Sequence, residues 1–217
     1  NEKCSCFKRK VIELLYTQSN LKEVLQKENF DTFSFVWYDD KVENGRISPL
    51  ENMKKISKSC LEMTANFDKE PQNILFTGPA GTGKTFLTHC IARELMDACY
   101  SVIYLSATEF FEILSKQTFE DNNSMDTQYL LDCDLLIVDD LGTELSNSFT
   151  VSRLFYCINE RIIRKKAMVI STNLSINTLR DLYTERVTSR LLSSFKIYEL
   201  YGADIRIQKM IKKGQED

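Results

Sequence analysis

The chain has no apolar run of membrane-spanning length and no visible secretory signal. It also has no internal repeat and no low-complexity segment. Net charge is nearly absent: 28 Lys and Arg against 31 Asp and Glu leave −3. That balance excludes a globally basic nucleic-acid binder, so any basic patch must be local. Histidine is reduced to one residue, His89, which reads as a packing residue with no catalytic part. The seven cysteines are odd in number, and apart from Cys4 and Cys6 they are scattered among apolar residues. This pattern excludes a disulfide framework and reads as reduced thiols in a cytosolic protein. Glycine is scarce, with seven in 217 residues, yet three of the seven fall in one octapeptide, "GPAGTGKT".

What is present is enough apolar residue, 43% of the chain, for one domain with a sizeable core and short extensions. "VIELLYTQ" and "LKEVLQKE" read as short helices, the second with Ser19 or Asn20 as N-cap. A helix is expected from about Leu50 to Asn66, starting after Pro49. From there strands and helices alternate. "NILFTG", "VIYL", "LLIVDD", "AMVIST" and "KIYEL" read as strands. The helices between them run from about Lys84 to Ala98, over "TEFFEILSKQ", along the stripe Val151, Leu154, Phe155, Ile158 and Ile162, and as two short helices after "AMVIST". A last helix starts near Ala203, and Asp121 to Asp126 reads as a loop. This alternation predicts an α/β fold with a parallel sheet covered on both faces.

"GPAGTGKT", Gly78 to Thr85, matches the phosphate-loop pattern between an expected strand and an expected helix. Gly78, Pro79, Ala80, Gly81, Thr82, Gly83, Lys84, Thr85 and the following Phe86 are therefore candidate nucleotide-binding residues. Backbone N–H groups at a helix N-terminus face phosphate oxygens, Lys84 neutralises the β- and γ-phosphates, and Thr85 ligates Mg²⁺. Two neighbouring aspartates, Asp139 and Asp140, end the strand "LLIVDD". Side chains alternate along a strand, so the two point different ways. Asp139 is expected beside the Mg²⁺, directly or through water, and Asp140 on the γ-phosphate side, polarising a water. Glu144 is a nearby carboxylate able to share or take over the base role. Asn173, in "VISTN", is placed to hydrogen-bond the γ-phosphate or the water. Arg186 and Arg190 in "ERVTSRLL" lie four apart on one helical face, and Arg206 in "GADIR" opens the last helix.

The ordered set "GPAGTGKT", "LLIVDDLGTE", "VISTN", "ERVTSRLL" and "GADIR" resembles the bacterial replicative-helicase loaders of the DnaC/DnaI type. These AAA+ ATPases are similar to the IstB-like ATP-binding helpers of certain transposases. The resemblance covers about Phe30 to the C-terminus. It implies an AAA+ P-loop core with a five-stranded parallel sheet between helices, the lid domain being reduced to a short C-terminal helix. It further implies ATP hydrolysis with Mg²⁺, Asn173 as sensor 1, Arg190 as arginine finger with Arg186 as runner-up, and Arg206 as sensor 2. The implied partners are a hexameric replicative DNA helicase, single-stranded DNA and further copies of the chain across ATP-bridged interfaces, with no membrane. Residues 30–217 are then the ATPase domain, and residues 1–29 a helical linker left from an N-terminal domain. "CSC" at Cys4 to Cys6 is either the tail of a zinc module or a pair of free thiols, and two ligands alone cannot complete a tetrahedral zinc site. Asp140 departs from the glutamate that most AAA+ ATPases carry, and the shorter side chain suits slow hydrolysis.

Other features carry two readings each. The aromatics around Phe33 either wall the adenine or pack the core. Ser106, Thr108 and Lys116 are candidate DNA-phosphate contacts in "TEFFEILSKQ" and at its start, although an amphipathic helix covering the sheet gives the same pattern. The run Arg161, Arg164, Lys165, Lys166 is either a DNA track or a set of cations favoured at a helix C-terminus. The rival functions are a transposition-helper ATPase, a small-molecule P-loop kinase, and a nucleotide-dependent binding module with negligible hydrolysis.

Overall fold

The computed structural model describes residues 21–42, 45–115, 125–144 and 147–214. Cys4, Cys6, the first expected helix, its neighbour's caps Ser19 and Asn20, Lys116 and Asp121 to Ser124 lie outside the described residues. Five parallel strands form the sheet in the order β2-β3-β4-β1-β5. They are β1 (Ile74–Thr77), β2 (Val102–Ser106), β3 (Leu135–Leu141), β4 (Ala167–Thr172) and β5 (Lys196–Glu199). Parallel neighbours need crossover connections, and helices supply them.

Each buried strand sends alternate side chains to two cores, as the pleat requires. On one face Leu135 and Ile137 of β3 join Ile74 and Phe76 of β1. They pack against α1 (Leu21–Lys27), α2 (Pro49–Ala65) and α3 (Lys84–Asp97), through Leu25, Ile56, Leu87 and Ile91. On the other face Leu136 and Val138 join Leu75 and Ile170. There the cover is α4 (Ala107–Ser115), α5 (Met125–Asp132), α6 (Ser148–Ile163) and α7 (Ile176–Ser194), through Phe110, Leu130, Leu154 and Leu179. The last helix, α8 (Ile205–Lys213), follows β5 and buries none of its residues.

Local chemistry explains the helix starts. Ser48 caps α2, accepting the N–H of Glu51 at 3.1 Å, with Pro49 at the first helical position, where its missing N–H matters least. Asp204 caps α8 through the N–H of Arg206. The two helices expected after β4 are both there: α7 is a pair run together across a kink, where Thr184 takes φ 72° and ψ 160°.

One expectation is corrected and one open choice is narrowed. Met125 and Asp126, read as loop, begin α5: the polar run before them masked a short helix whose Leu130 and Leu131 reach the core. In the basic run near the end of α6, three of the four cations are engaged within the fold, which favours the structural of its two readings. Arg161 is buried, and its guanidinium donates to the carbonyls of Leu130, Cys133 and Ala167. Arg164 is paired with Asp132 and Glu160, and Lys166 with Asp134. A local run of charge does not reveal that one member sits on the inner face of its helix.

Candidate nucleotide site

The site lies beyond the C-terminal ends of β1, β3 and β4, where open α/β sheets bind ligands. Residues Gly78 to Gly83 link β1 to α3. Gly83 takes φ 98° at the N-cap of α3, and a Cβ there would meet the Tyr38 hydroxyl at 2.5 Å. Tyr38 donates that hydroxyl to the carbonyl of Thr82 at 3.2 Å, bracing the loop from outside. A Cβ on Gly81 would stand 2.0 Å from the carboxyl carbon of Asp204. Glycine at these two positions thus admits two other elements as well as a left-handed backbone. Pro79 and Ala80 form the exposed rim. Thr82 is buried, its hydroxyl bonded to the Pro79 carbonyl at 2.9 Å.

Lys84 curls back over the loop and donates to the carbonyls of Gly78 at 2.8 Å and Pro79 at 2.6 Å. Burial holds its pKa below the usual lysine value, while Asp140 and Asp139 pull the other way. Thr85 directs its hydroxyl to Asp139 Oδ1 at 3.4 Å. Phe86 meets Phe33 edge-on at 5.2 Å, and Phe33 lies near Phe35 and Tyr38. The aromatics therefore both pack the core and flank the phosphate loop.

The two aspartates sit on a β-bulge. Between Val138 and Leu141 the strand advances three residues, while its partner β4 advances two, from Ile170 to Thr172. Asp140 absorbs the surplus with φ 56°. Bulges bend a strand and re-aim side chains beside active sites. Asp139 stays on the α3 side, where Tyr104 donates its hydroxyl to Oδ2 at 2.7 Å and Ser171 donates to Oδ1. Burial and the nearby carboxylate push the Tyr104 phenol far up, so it is a permanent donor. Asp140 turns the other way and accepts from Asn173 Nδ2 at 3.3 Å. Burial and then Asp139 raise its pKa above the usual carboxylate value.

Glu144 is turned away, accepting the N–H of Gly142 at 2.9 Å and the hydroxyl of Tyr183. Arg190 is exposed on the second half of α7, in a depression shared with Phe155, Glu185 and Ser193. Arg186 stacks its guanidinium over the Phe155 ring at 4.7 Å. Arg206 points its fork at Asp204, beside the phosphate loop. Ser106 is engaged in a reciprocal cap of α4 with Glu109, accepting its N–H at 3.3 Å and donating its hydroxyl to its carboxylate at 2.7 Å. Thr108 is exposed on the first turn. His89 pairs with Glu28 at 2.5 Å and lies against Tyr104, tying α1 to α3.

Sequence reasoning gives no individual role to Tyr38, Tyr104, Ser171, Tyr183 or Asp204, although Tyr38 lies in the aromatic cluster, Ser171 in "VISTN" and Asp204 in "GADIR". Tyr104 left a signal of its own: a hydroxyl in an otherwise apolar strand next to the acidic one. Among the described residues no three His, Cys, Asp or Glu side chains gather to hold a metal. A magnesium ion arriving with a nucleotide asks less, one or two protein oxygens beside phosphates and waters. The Thr85 hydroxyl and the Asp139 carboxylate fit that demand.

The family model described as IstB-like ATP binding protein matches residues 51–211. The replicative helicase loader DnaC of Buchnera aphidicola subsp. Baizongia pistaciae is 28% identical over 145 residues, covering 65% of this chain and 58% of the loader. The insertion sequence IS21 putative ATP-binding protein of Pseudomonas aeruginosa is 24% identical over 153 residues, covering 68% of this chain and 57% of that protein. The chain thus spans less than two thirds of the length of either relative. A crystal structure of the DnaC helicase loader superposes with a TM-score of 0.66 at 19% identity, covering 82% of this chain and 98% of that one. That likeness shows the fold, a five-stranded parallel sheet between helices. No helix among the described residues is long and apolar enough to cross a membrane.

Proposed function

The chain belongs to the family of IstB-like ATP binding proteins, and from that premise we propose a cytoplasmic ATPase of the helicase-loader type. It uses ATP binding and hydrolysis, with Mg²⁺, to control its hold on single-stranded DNA and a hexameric replicative helicase. Residues 30–217 form the ATPase domain in this reading. The observation that carries it is the split pair on the β3 bulge, with Asp139 turned to Thr85 and Asp140 turned to Asn173.

The chemistry follows from that split. Backbone N–H groups from Gly78 to Thr85 take the phosphates, and Lys84 exchanges two loop carbonyls for phosphate oxygens. Phe86 and its aromatic neighbours border the nucleotide. Thr85 and Asp139 would hold Mg²⁺, which would neutralise phosphate charge when bound. Tyr104 and Ser171 fix the Asp139 carboxylate on the metal side. Asp140 takes the proton of the attacking water, which Asn173 helps to orient. A raised pKa suits a base better than an ordinary aspartate. Glu144 serves the loop, because Gly142 and Tyr183 occupy its oxygens. Arg190 reaches a neighbouring copy's nucleotide in an ATP-bridged assembly, while Arg186 stays on Phe155. Arg206 serves its own subunit's nucleotide. Ser106 and Thr108, with Lys116 further along the sequence, are the candidate contacts to DNA phosphates.

Turnover measured with single-stranded DNA, duplex DNA and purified hexameric helicase tests the reading. Stimulation by single strands and helicase is expected. Stimulation by duplex DNA alone would favour the transposition-helper role suggested by the Pseudomonas relative.

A further inference from the structure

Asp204 is a carboxylate at the edge of a site built for anions, and that placement needs a reason. Its side chain leans on the Gly81 turn, and the next residue's N–H, that of Ile205, bonds the Gly81 carbonyl at 3.0 Å. Asp204 also caps α8 through the N–H of Arg206 at 2.9 Å. Its third task is the informative one. It accepts from Arg206 Nε at 3.2 Å and from Nη2 at 2.9 Å, the two donors on one edge of the guanidinium.

A guanidinium has five donors in a rigid plane. Asp204 takes the Nε–Nη2 edge, and neither oxygen reaches Nη1 in a hydrogen bond. The second edge, Nη1 with the outer proton of Nη2, has the spacing that matches two phosphate oxygens. Arg206 is well exposed, with 70% of its side chain accessible, so without a partner its long chain would sample many rotamers. Held as it is, its charge already acts on Lys84 and Asp140 across the loop.

We propose that Asp204 is a positioning residue: clamped against Gly81, it grips one edge of Arg206 and presents the other to the terminal phosphate of the bound nucleotide. The proposal rests on the reading of Arg206 as a phosphate partner. Its consequence is discrimination. Ordering Arg206 in advance favours the nucleotide that reaches it, so Asp204 raises the preference for triphosphate over diphosphate without touching either. The net charge near the site is unchanged by the pair, so the gain comes from orientation.

Substitution can separate the grip from the cap. Asn and Ser cap helices as well as Asp does but cannot form the ion pair. Affinities for a non-hydrolysable ATP analogue and for ADP are measured by calorimetry on the whole chain and on Asp204→Asn, Asp204→Ser, Arg206→Ala and Asp204→Asn/Arg206→Ala. The single tryptophan monitors the helix, because Lys209 and Lys212 of α8 lie over Trp37 at 5.6 and 5.5 Å. Arg206→Ala is expected to lower the ratio of ATP to ADP affinity about tenfold, on the scale of one charged hydrogen bond. Asp204→Asn and Asp204→Ser should lower it by a large part of that factor, with Trp37 emission unchanged. The double variant should be no worse than Arg206→Ala. An unaltered ratio in Asp204→Asn beside a reduced one in Arg206→Ala overturns the proposal alone. A higher ATP affinity in Asp204→Asn also overturns it, since the carboxylate would then be competing with phosphate. An unaltered ratio in Arg206→Ala overturns the reading of Arg206 and the proposal with it. Changed Trp37 emission in both Asp204 variants would make the residue a structural cap and overturn the positioning role.

Discussion

Ser171 and Asp140 meet across the β3 bulge: the Ser171 hydroxyl accepts the backbone N–H of Asp140 at 2.9 Å and donates its own O–H to Asp139. The bulge leaves that N–H without a ladder partner, and one buried side chain both repairs the ladder and aims the neighbouring carboxylate. Ser171→Ala should therefore strip the Asp140 N–H of its partner and remove one of the donors to Asp139. A loss of about 1–3 kcal/mol in urea unfolding is expected, with weaker Mg²⁺-dependent ATP binding. Wild-type stability in that variant would show that the bulge is held by other contacts.

Arg161 provides a second stability test. Its guanidinium serves three buried carbonyls that link the α5–β3 turn to the start of β4. Arg161→Met keeps the bulk and removes the donors. Denaturant unfolding should show a loss of about 2–5 kcal/mol, since several buried acceptors lose their partner at once. Retained affinity for DNA in that variant, against a mere charge-loss effect, would agree with a structural residue.

Asp140 predicts a trade between stability and turnover. Its folded pKa lies above the unfolded value of 3.8, so the native state binds more protons at intermediate pH. Stability then falls as pH rises from about that value through the folded pKa, and the penalty persists at neutral pH. Asp140→Asn should melt higher than wild type at pH 7, and the difference should vanish towards pH 4. Equal melting at both pH values would mean that Asp140 is not disfavoured as an anion.

The phosphate loop, the five strands and the ordered set of polar residues at their ends were legible because each is a local pattern: an octapeptide, an apolar run, a carboxylate after it. The bulge was not, because it exists only in the register between β3 and β4, which neither segment carries alone. The roles of Tyr104, Ser171 and Asp204 were not legible for the same reason, since their partners lie 35, 32 and, to Gly81, more than a hundred positions away along the chain. Arg161 stayed ambiguous because a run of four cations has the same composition whether it faces water or a layer of carbonyls. Arg186 and Arg190 are inseparable by spacing; in the fold Arg186 lies over the Phe155 ring while Arg190 is exposed beside it.

Arg190 is expected to act between copies. Arg190→Ala should bind ATP with unchanged affinity and lose assembly-stimulated hydrolysis, because the transition-state charge lacks its partner. Mixed with Lys84→Ala subunits, which supply the arginine but bind no ATP, it should regain part of the activity in the presence of helicase or DNA. No recovery despite co-assembly would mean that Arg190 acts in cis or only structurally.

The central claim, that this site hydrolyses the nucleotide it binds and divides the work between two adjacent carboxylates, is tested most directly by measuring ATP affinity and single-turnover hydrolysis on Asp139→Asn and Asp140→Asn side by side. The account predicts weakened Mg²⁺-dependent binding in Asp139→Asn. It predicts normal binding with hydrolysis slowed roughly 10²–10⁴-fold in Asp140→Asn, the scale of a lost general base. Full turnover in Asp140→Asn, or an equal loss of binding in both variants, would contradict it.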